Sequence, residues 1–241
     1  MSENLQNSRR DFLKKGAAAA VGSFFIVPRH VLGKGFIAPS DKLNIAAIGA
    51  GGKGQSDIIN AYNNGASNVV ALCDVDLEAP HTLEILKMFP DVPRFKDFRQ
   101  MFDKMGNKIE AVSIGTPDFS HFPITMMAIG LGKHVYVEKT MTYSIAEALE
   151  LRKLVSEYPN QVFQVGYQYR YSPLYFKVKD MIQSGYLGKV SQIDCRWDRN
   201  GNWRRRVPEP SLERQINWRM YKEYSGGLAA ELLSHQIDFI N

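Results

Sequence analysis

Five apolar runs, "LNIAAIG", "NVVALCD", "AVSIGTP", "HVYVEK" and "QVFQVG", recur between residues 43 and 166 with a helical stretch between successive runs. No other feature restricts the fold as much. A strand with one wet face alternates apolar and polar residues, whereas these Val- and Ile-rich runs need cover on both sides. The segments between them supply it: "QSDIINAYNN" stopped by Gly65, "FRQMFDKM" stopped by Gly106, "ITMMAIGLG", and "SIAEALELRKLVSEY" closed near Pro159. Parallel neighbours can be joined only by crossovers, so this rhythm predicts an α/β protein with a doubly wound parallel sheet over residues 43–166.

The first strand runs into "IGAGGKG", which places Gly49, Gly51 and Gly54 at G-x-G-x-x-G spacing between a strand and a helix. The first glycine permits the tight turn, the second lets backbone approach a pyrophosphate, and the third lets helix and strand pack closely. The helix start then offers N–H groups and a partial positive charge to phosphates. Asp74 ends the next strand, where a carboxylate can accept hydrogen bonds from an adenosine ribose and repel a 2′-phosphate. Residues Gly49, Ala50, Gly51, Gly52, Lys53, Gly54 and Asp74 are therefore expected to bind a dinucleotide, NAD in preference to NADP.

In an open parallel sheet, ligands lie beyond the carboxyl ends of the strands. That places Thr116, Pro117 and His121 of "SIGTPDFSH" at the expected crevice, with Glu138 and Lys139 at the end of the fourth strand. Adjacent residues of a strand point to opposite faces, so one of Glu138 and Lys139 faces the nicotinamide while the other supports the strand end. Further on, "SGGLAAELLSHQID" sets Glu231 and His235 four residues apart on one helical face, an arrangement suited to acid/base chemistry. The same spacing fits a metal pair, but HExxH is missing and no metal is expected.

After Gly166 the rhythm changes. A helix is expected near "PLYFKVKDMIQS", a strand at "VSQIDCRW", then the Arg-rich excursion "DRNGNWRRRVPEPSLERQINWRM" and a helix after "SGG". The last helix reaches Asn241 without a stop signal, so residues 167–241 are expected to be part of a second domain.

The chain of 241 residues carries a formal +5, but residues 1–34 hold Arg9, Arg10, Lys14, Lys15, Arg29 and Lys34 against Glu3 and Asp11, a net +4. The rest is close to neutral, which argues against a nucleic-acid partner. The head "SRRDFLKKGAAAAVGSFFIVP" resembles a twin-arginine export signal, followed by a linker over residues 35–42. A periplasmic or cell-envelope protein is expected, with membrane attachment open only through the head. Cys73 reads as a buried inert thiol within its strand.

Together, "GAGGKG", "CDVD", "TPDFSH", "GKHVYVEKT", "GYQYRYSP", "LGKV", "WR" and "GGLAAELLSHQID" resemble, in order, the glucose-fructose oxidoreductase and inositol dehydrogenase family, Gfo/Idh/MocA. The resemblance implies a Rossmann domain followed by a domain on an open antiparallel sheet, and an enzyme acting on a sugar or cyclitol hydroxyl. The family's Glu-Lys-Pro lysine falls on Lys139, with Thr140 in place of the proline whose bond relatives often hold cis. Its helix aspartate and histidine fall on Glu231 and His235. The implied roles are proton transfer by His235, alkoxide stabilisation by Lys139 and orientation of the imidazole by Glu231. Tyr167, Arg170, Trp218 and Arg219 are implied pocket contacts, and the full-length protein is expected to be a homo-oligomer. Two alternatives stand beside net oxidoreduction: a glycoside-cleaving or epimerising enzyme that oxidises its substrate transiently with tightly bound NAD, and a cofactor-binding fragment without turnover.

Overall fold

The computed structural model describes residues 39–240; the expected export head 1–34 and residues 35–38 of the linker lie outside the described residues. The chain divides at Lys42 into two units, of which the second begins at Leu43. This second unit holds a six-stranded sheet: β1 Asn44–Ile48, β2 Asn68–Cys73, β3 Arg94–Phe95, β4 Ala111–Ile114, β5 His134–Glu138 and β6 Phe163–Gly166. The spatial order is β3-β2-β1-β4-β5-β6 and every pairing is parallel. The expected doubly wound sheet is therefore present, with strand order reversing beside β1.

Five helices cover it: α1 Lys53–Tyr62, α2 Pro80–Met88, α3 Phe98–Met105, α4 Asp118–Gly130 and α5 Ile145–Glu157. Successive β1 side chains divide the interior. Ile45 and Ala47 pack with Ile58 of α1 and with Ile85 and Leu86 of α2. Ala46 and Ile48 pack with Met101 and Phe102 of α3, Ile124 and Ile129 of α4, and Leu151 of α5. Both faces are dry, which is why the strands carry no polar alternation. Each fully buried Ile or Leu contributes about 1.5–3 kcal/mol. α5 is fixed at its start by reciprocal bonds: Glu147 N–H donates to Ser144 Oγ at 3.3 Å, and Ser144 N–H donates to the Glu147 carboxylate at 3.0 Å.

The fold differs from the sequence expectation in three respects. α4 begins at Asp118 and carries Pro123 inside it, whereas the pattern placed the helix start after that proline. A proline there forfeits one backbone bond, and the apolar face of Ile124, Ala128 and Ile129 buried on the sheet offsets that loss. α2 and the edge strand β3 were not expected; a two-residue strand is too short to leave a period-2 pattern. The third difference is a correction: residues 190–197 form no strand. A strand persists through its ladder bonds, and among the described residues no strand comes after Gly166 to supply them. The expected open antiparallel sheet is accordingly not seen among the described residues. Beyond β6 the chain forms α6 Pro173–Gln183, short turns between Pro210 and Met220, a π-helical turn Ala229–Leu233, and α7 Ser234–Ile240. No helix among the described residues is long and apolar enough to cross a membrane.

Candidate active site

At the carboxyl end of β1 the chain turns through Gly49 (φ +78°) and Gly52 (φ +59°), left-handed conformations that disfavour other residues. A Cβ on Gly54 would overlap the Gly49 carbonyl oxygen, and a Cβ on Gly115, after β4, would lie 2.6 Å from Gly54 Cα. Two bare glycines thus let α1 start directly against β4. Gly115 was missed in the sequence because its partner is 61 positions away and no spacing rule connects them.

Gly51 shows a different use from the one its spacing suggests: a Cβ there would meet His81 Cδ2 and Thr82 Oγ1, both at 2.5 Å, so the start of α2 occupies that side of the turn. The open side is at Gly52, where a Cβ would meet nothing within 4 Å. Gly52 is also the N-cap of α1, and no side chain caps this helix, so its first-turn amides are not taken by protein side chains. Asp74 closes the turn from β2: Oδ2 accepts the Gly51 N–H at 2.9 Å and Oδ1 the Asp76 N–H at 3.0 Å. Burial raises its pKa, while those two bonds pull the other way. Bare backbone, an uncapped helix start and a carboxylate with lone pairs to spare fit a nucleotide diphosphate and its ribose.

Lys53, in the first turn of α1, reaches to the end of β5. Its Nζ lies 2.9 Å from Glu138 Oε1 and also pairs with Asp57. Glu138 Oε1 additionally accepts the Tyr136 hydroxyl at 2.9 Å. Burial pushes the Asp57 carboxyl up to about 6, although the adjoining Lys53 ammonium pulls it down. Lys53 and Tyr136 thus engage Glu138, and Lys139, next along the chain, lines the same cleft.

Lys139 Nζ donates to the Glu231 carbonyl oxygen at 3.0 Å and lies 3.5 Å from Glu231 Oε2, joining residues 92 positions apart. Arg219 Nε approaches the same Oε2 at 3.1 Å. Glu231 Oε1 and His235 Nδ1 are buried without a hydrogen-bond partner among the described residues. Such atoms are costly unless something completes them. Around the imidazole stand Tyr167, Tyr169 and Trp197, with ring centroids at 6.0, 5.4 and 5.3 Å. Burial, and next the Lys139 ammonium, lower the His235 pKa below its usual 6.5. The ring is thus held neutral and able to accept a proton. Glu231 and His235 straddle the junction of the π-helical turn and α7.

The remaining expected residues support this cluster at one remove. His121 is fully enclosed, its Nδ1 2.6 Å from the Thr140 carbonyl oxygen and its Nε2 2.8 Å from that of Thr116, so it ties two crevice loops together. Thr116 Oγ1 accepts the Ser120 hydroxyl at 2.8 Å, and Pro117 precedes the first turn of α4. The Lys139–Thr140 bond is cis although threonine stands where the resemblance has proline. Thr140 Oγ1 donates to Asp118 Oδ2 at 2.9 Å. Two residues differ from the pocket role expected of them. Arg170 is engaged by Asp238 in a fork with distances of 2.6–2.9 Å, and Trp218 is buried against Phe119 with the Arg219 guanidinium 4.2 Å over its ring. Among the described residues no group of three or more His, Cys, Asp or Glu could hold a metal ion.

Fold and site define a doubly wound α/β protein with a nucleotide-type glycine turn facing a Lys-Glu-His cluster. Residues 43–167 match the oxidoreductase family GFO_IDH_MocA, NAD-binding Rossmann fold, and residues 175–241 match the GFO/IDH/MocA C-terminal domain. The chain belongs to the Gfo/Idh/MocA oxidoreductase family. It is 34% identical over 135 residues to Oxidoreductase P35 of Formosa agariphila, covering 55% of this chain and 40% of that protein. The crystal structure of myo-inositol 2-dehydrogenase from Lactobacillus plantarum superimposes with a TM-score of 0.54 at 28% identity, over 62% of this chain and 43% of that one. Scyllo-inositol dehydrogenase from Lactobacillus casei, with bound NAD(H) and scyllo-inositol, shares the fold with a TM-score of 0.63 at 23% identity, over 83% and 55% of the two chains. The chain spans less than half the length of the curated relatives it matches, 46% of a Rubrobacter xylanophilus inositol 2-dehydrogenase for example.

Proposed function

We propose that this protein catalyses reversible hydride transfer between NAD and a carbon bearing a hydroxyl on a sugar or cyclitol. The observation that carries the reading is the convergence of Lys139, Glu231 and His235 at the carboxyl end of β5, with partnerless buried atoms on Glu231 and His235. Gly49–Gly54 would receive the dinucleotide's diphosphate on main-chain amides, and Asp74 would accept its ribose hydroxyls and disfavour a 2′-phosphate. When bound, the nicotinamide supplies an acceptor for hydride. The neutral His235 imidazole takes the hydroxyl proton, and the Lys139 ammonium faces the oxygen on which negative charge develops. Glu231, set between Lys139 and Arg219, holds both cations in place. The inositol dehydrogenase relatives support a polyol substrate, and the paired-arginine head supports delivery outside the cytoplasm with the dinucleotide already bound.

The test is to assay the full chain for retained or added dinucleotide and for reduction of it by inositols and sugars. Wild-type protein should bind NAD and form NADH, whereas Lys139→Met should keep the dinucleotide and lose about 10²–10³ in kcat. Absence of NAD binding in folded wild-type protein would overturn the reading. Release of aglycone from an aryl glycoside without an added acceptor would replace net oxidation with transient oxidation.

A further inference from the structure

We propose that the substrate is an acidic sugar, bearing a carboxylate or a phosphate, and that Arg199 and Arg205 of the arginine-rich loop recognise its charge. This rests on the hydride-transfer reading and narrows its substrate class. A cleft of about 500 Å³ opens beside Lys139, Glu231 and His235, a size suited to a small ligand. One wall is supplied by residues 199–205, "RNGNWRR", which have no regular secondary structure. Six cationic side chains line the cleft, Lys53, Lys139, Arg199, Arg204, Arg205 and Arg219, against the carboxylates of Glu138 and Glu231.

The partners of these cations decide which of them are available. Lys53 pairs with Glu138 and Asp57, Lys139 and Arg219 share Glu231, and Arg204 pairs with Glu213 at 2.8 Å. Among the described residues neither Arg199 nor Arg205 has a carboxylate partner; Arg199 lies 4.8 Å over the Trp203 ring. The loop is nevertheless fixed. The buried Asn217 accepts the Arg205 N–H at 2.6 Å and donates to the Arg205 carbonyl oxygen at 3.0 Å, so its amide is used to hold main chain. Arg219 lies 5.7 Å over the same Trp203 ring and braces the loop from within. An anchored loop that brings two uncompensated guanidinium groups to a cleft with a proton acceptor is suited to an anion, since the guanidinium fork matches carboxylate and phosphate oxygens. Of the glycine turn only Lys53 lines this cleft, and Lys53 is already paired with Glu138 and Asp57.

The test compares matched sugars on the full chain loaded with oxidised NAD: glucose, glucuronate and a phosphate ester of glucose, with affinity read by calorimetry and hydride transfer read as the nicotinamide absorbance of the NADH formed. At least one acidic member should bind about tenfold more tightly than glucose, with an advantage that shrinks as salt rises. Arg199→Gln and Arg205→Gln should each reduce the ratio of acidic to neutral affinity, and the double variant should bring it near one. The carboxylate and phosphate arms identify which anion is preferred. Equal affinity for neutral and acidic sugars, no binding of either acidic sugar, or a preference that survives in the double variant would each overturn the proposal. Acidic preference without any hydride transfer would instead sink the hydride-transfer reading while leaving the charge recognition standing.

Discussion

His235 illustrates how environment sets chemistry at a single residue. Burial and the Lys139 ammonium lower its pKa below 6.5, so the folded protein resists a proton that the unfolded chain accepts. The unfolded state then binds more protons as pH falls through 6.5, and this residue withdraws stability in that window. Asp57 has the opposite sign: its carboxyl, raised to about 6 from 3.8, withdraws stability as pH rises across that interval. Comparing His235→Asn with wild type isolates the first effect. Denaturant titrations should show a smaller loss of stability on acidification in the variant. Its kcat should fall about 10²–10⁴-fold, and the acid limb of the wild-type kcat/KM profile should lie below pH 6.5. An acid limb at or above that value would remove His235 as the proton acceptor.

At the scale of elements, the contact that matters most is that between α1 and β4. Gly54 and Gly115 face each other so closely that neither tolerates a methyl group, and this places the uncapped helix start at the strand ends. Gly115→Ala should cost about 1–3 kcal/mol by overpacking and weaken dinucleotide binding at least about tenfold, read by thermal melts and NADH fluorescence. Gly130→Ala, at the end of α4 with nothing within 4 Å of the added methyl, serves as the comparison and should leave both properties near wild type. Unchanged NADH affinity in Gly115→Ala would mean that the helix start does not hold the diphosphate. Most of this element was legible in the chain: strand, glycine spacing, helix and the acid at Asp74 all lie within a short stretch governed by local rules. Gly115 was not, because nothing local distinguishes a glycine that meets another glycine across the sheet from one in an ordinary loop.

For the whole molecule, the proposed hydride transfer requires that the segment after β6 be held against the strand ends. Phe119 of α4 contributes to that through rings of Trp218 at 6.2 Å and Tyr224 at 4.9 Å, and Tyr143 OH donates to the Lys222 carbonyl oxygen at 2.7 Å. Aromatic pairs of this kind contribute about 0.5–1.5 kcal/mol each. Phe119→Ala should therefore raise amide exchange and protease cleavage between residues 198 and 224, lower kcat, and leave exchange in β1, β2 and β4 as in wild type. Equal protection of the two regions in the variant would show that the segment is held by other contacts.

The same scales separate what the chain declares from what folding decides. Apolar strands dry on both faces, glycines at fixed spacing, a carboxylate at the end of β2 and a lysine at the end of β5 are set by neighbours close in sequence, and all are readable there. The supposed strand at residues 190–197 had the right composition but not the partner that a ladder requires. Arg170 and Trp218 looked like pocket residues until Asp238 and Phe119 engaged them. The meeting of Lys139 with Glu231, 92 positions away, and the placing of Arg199 and Arg205 at one cleft with His235 depend on side chains distant in sequence coming together. Local geometry and hydrophobic period travel with the sequence; charge pairing, exposure and pKa are properties of neighbours that only tertiary packing supplies.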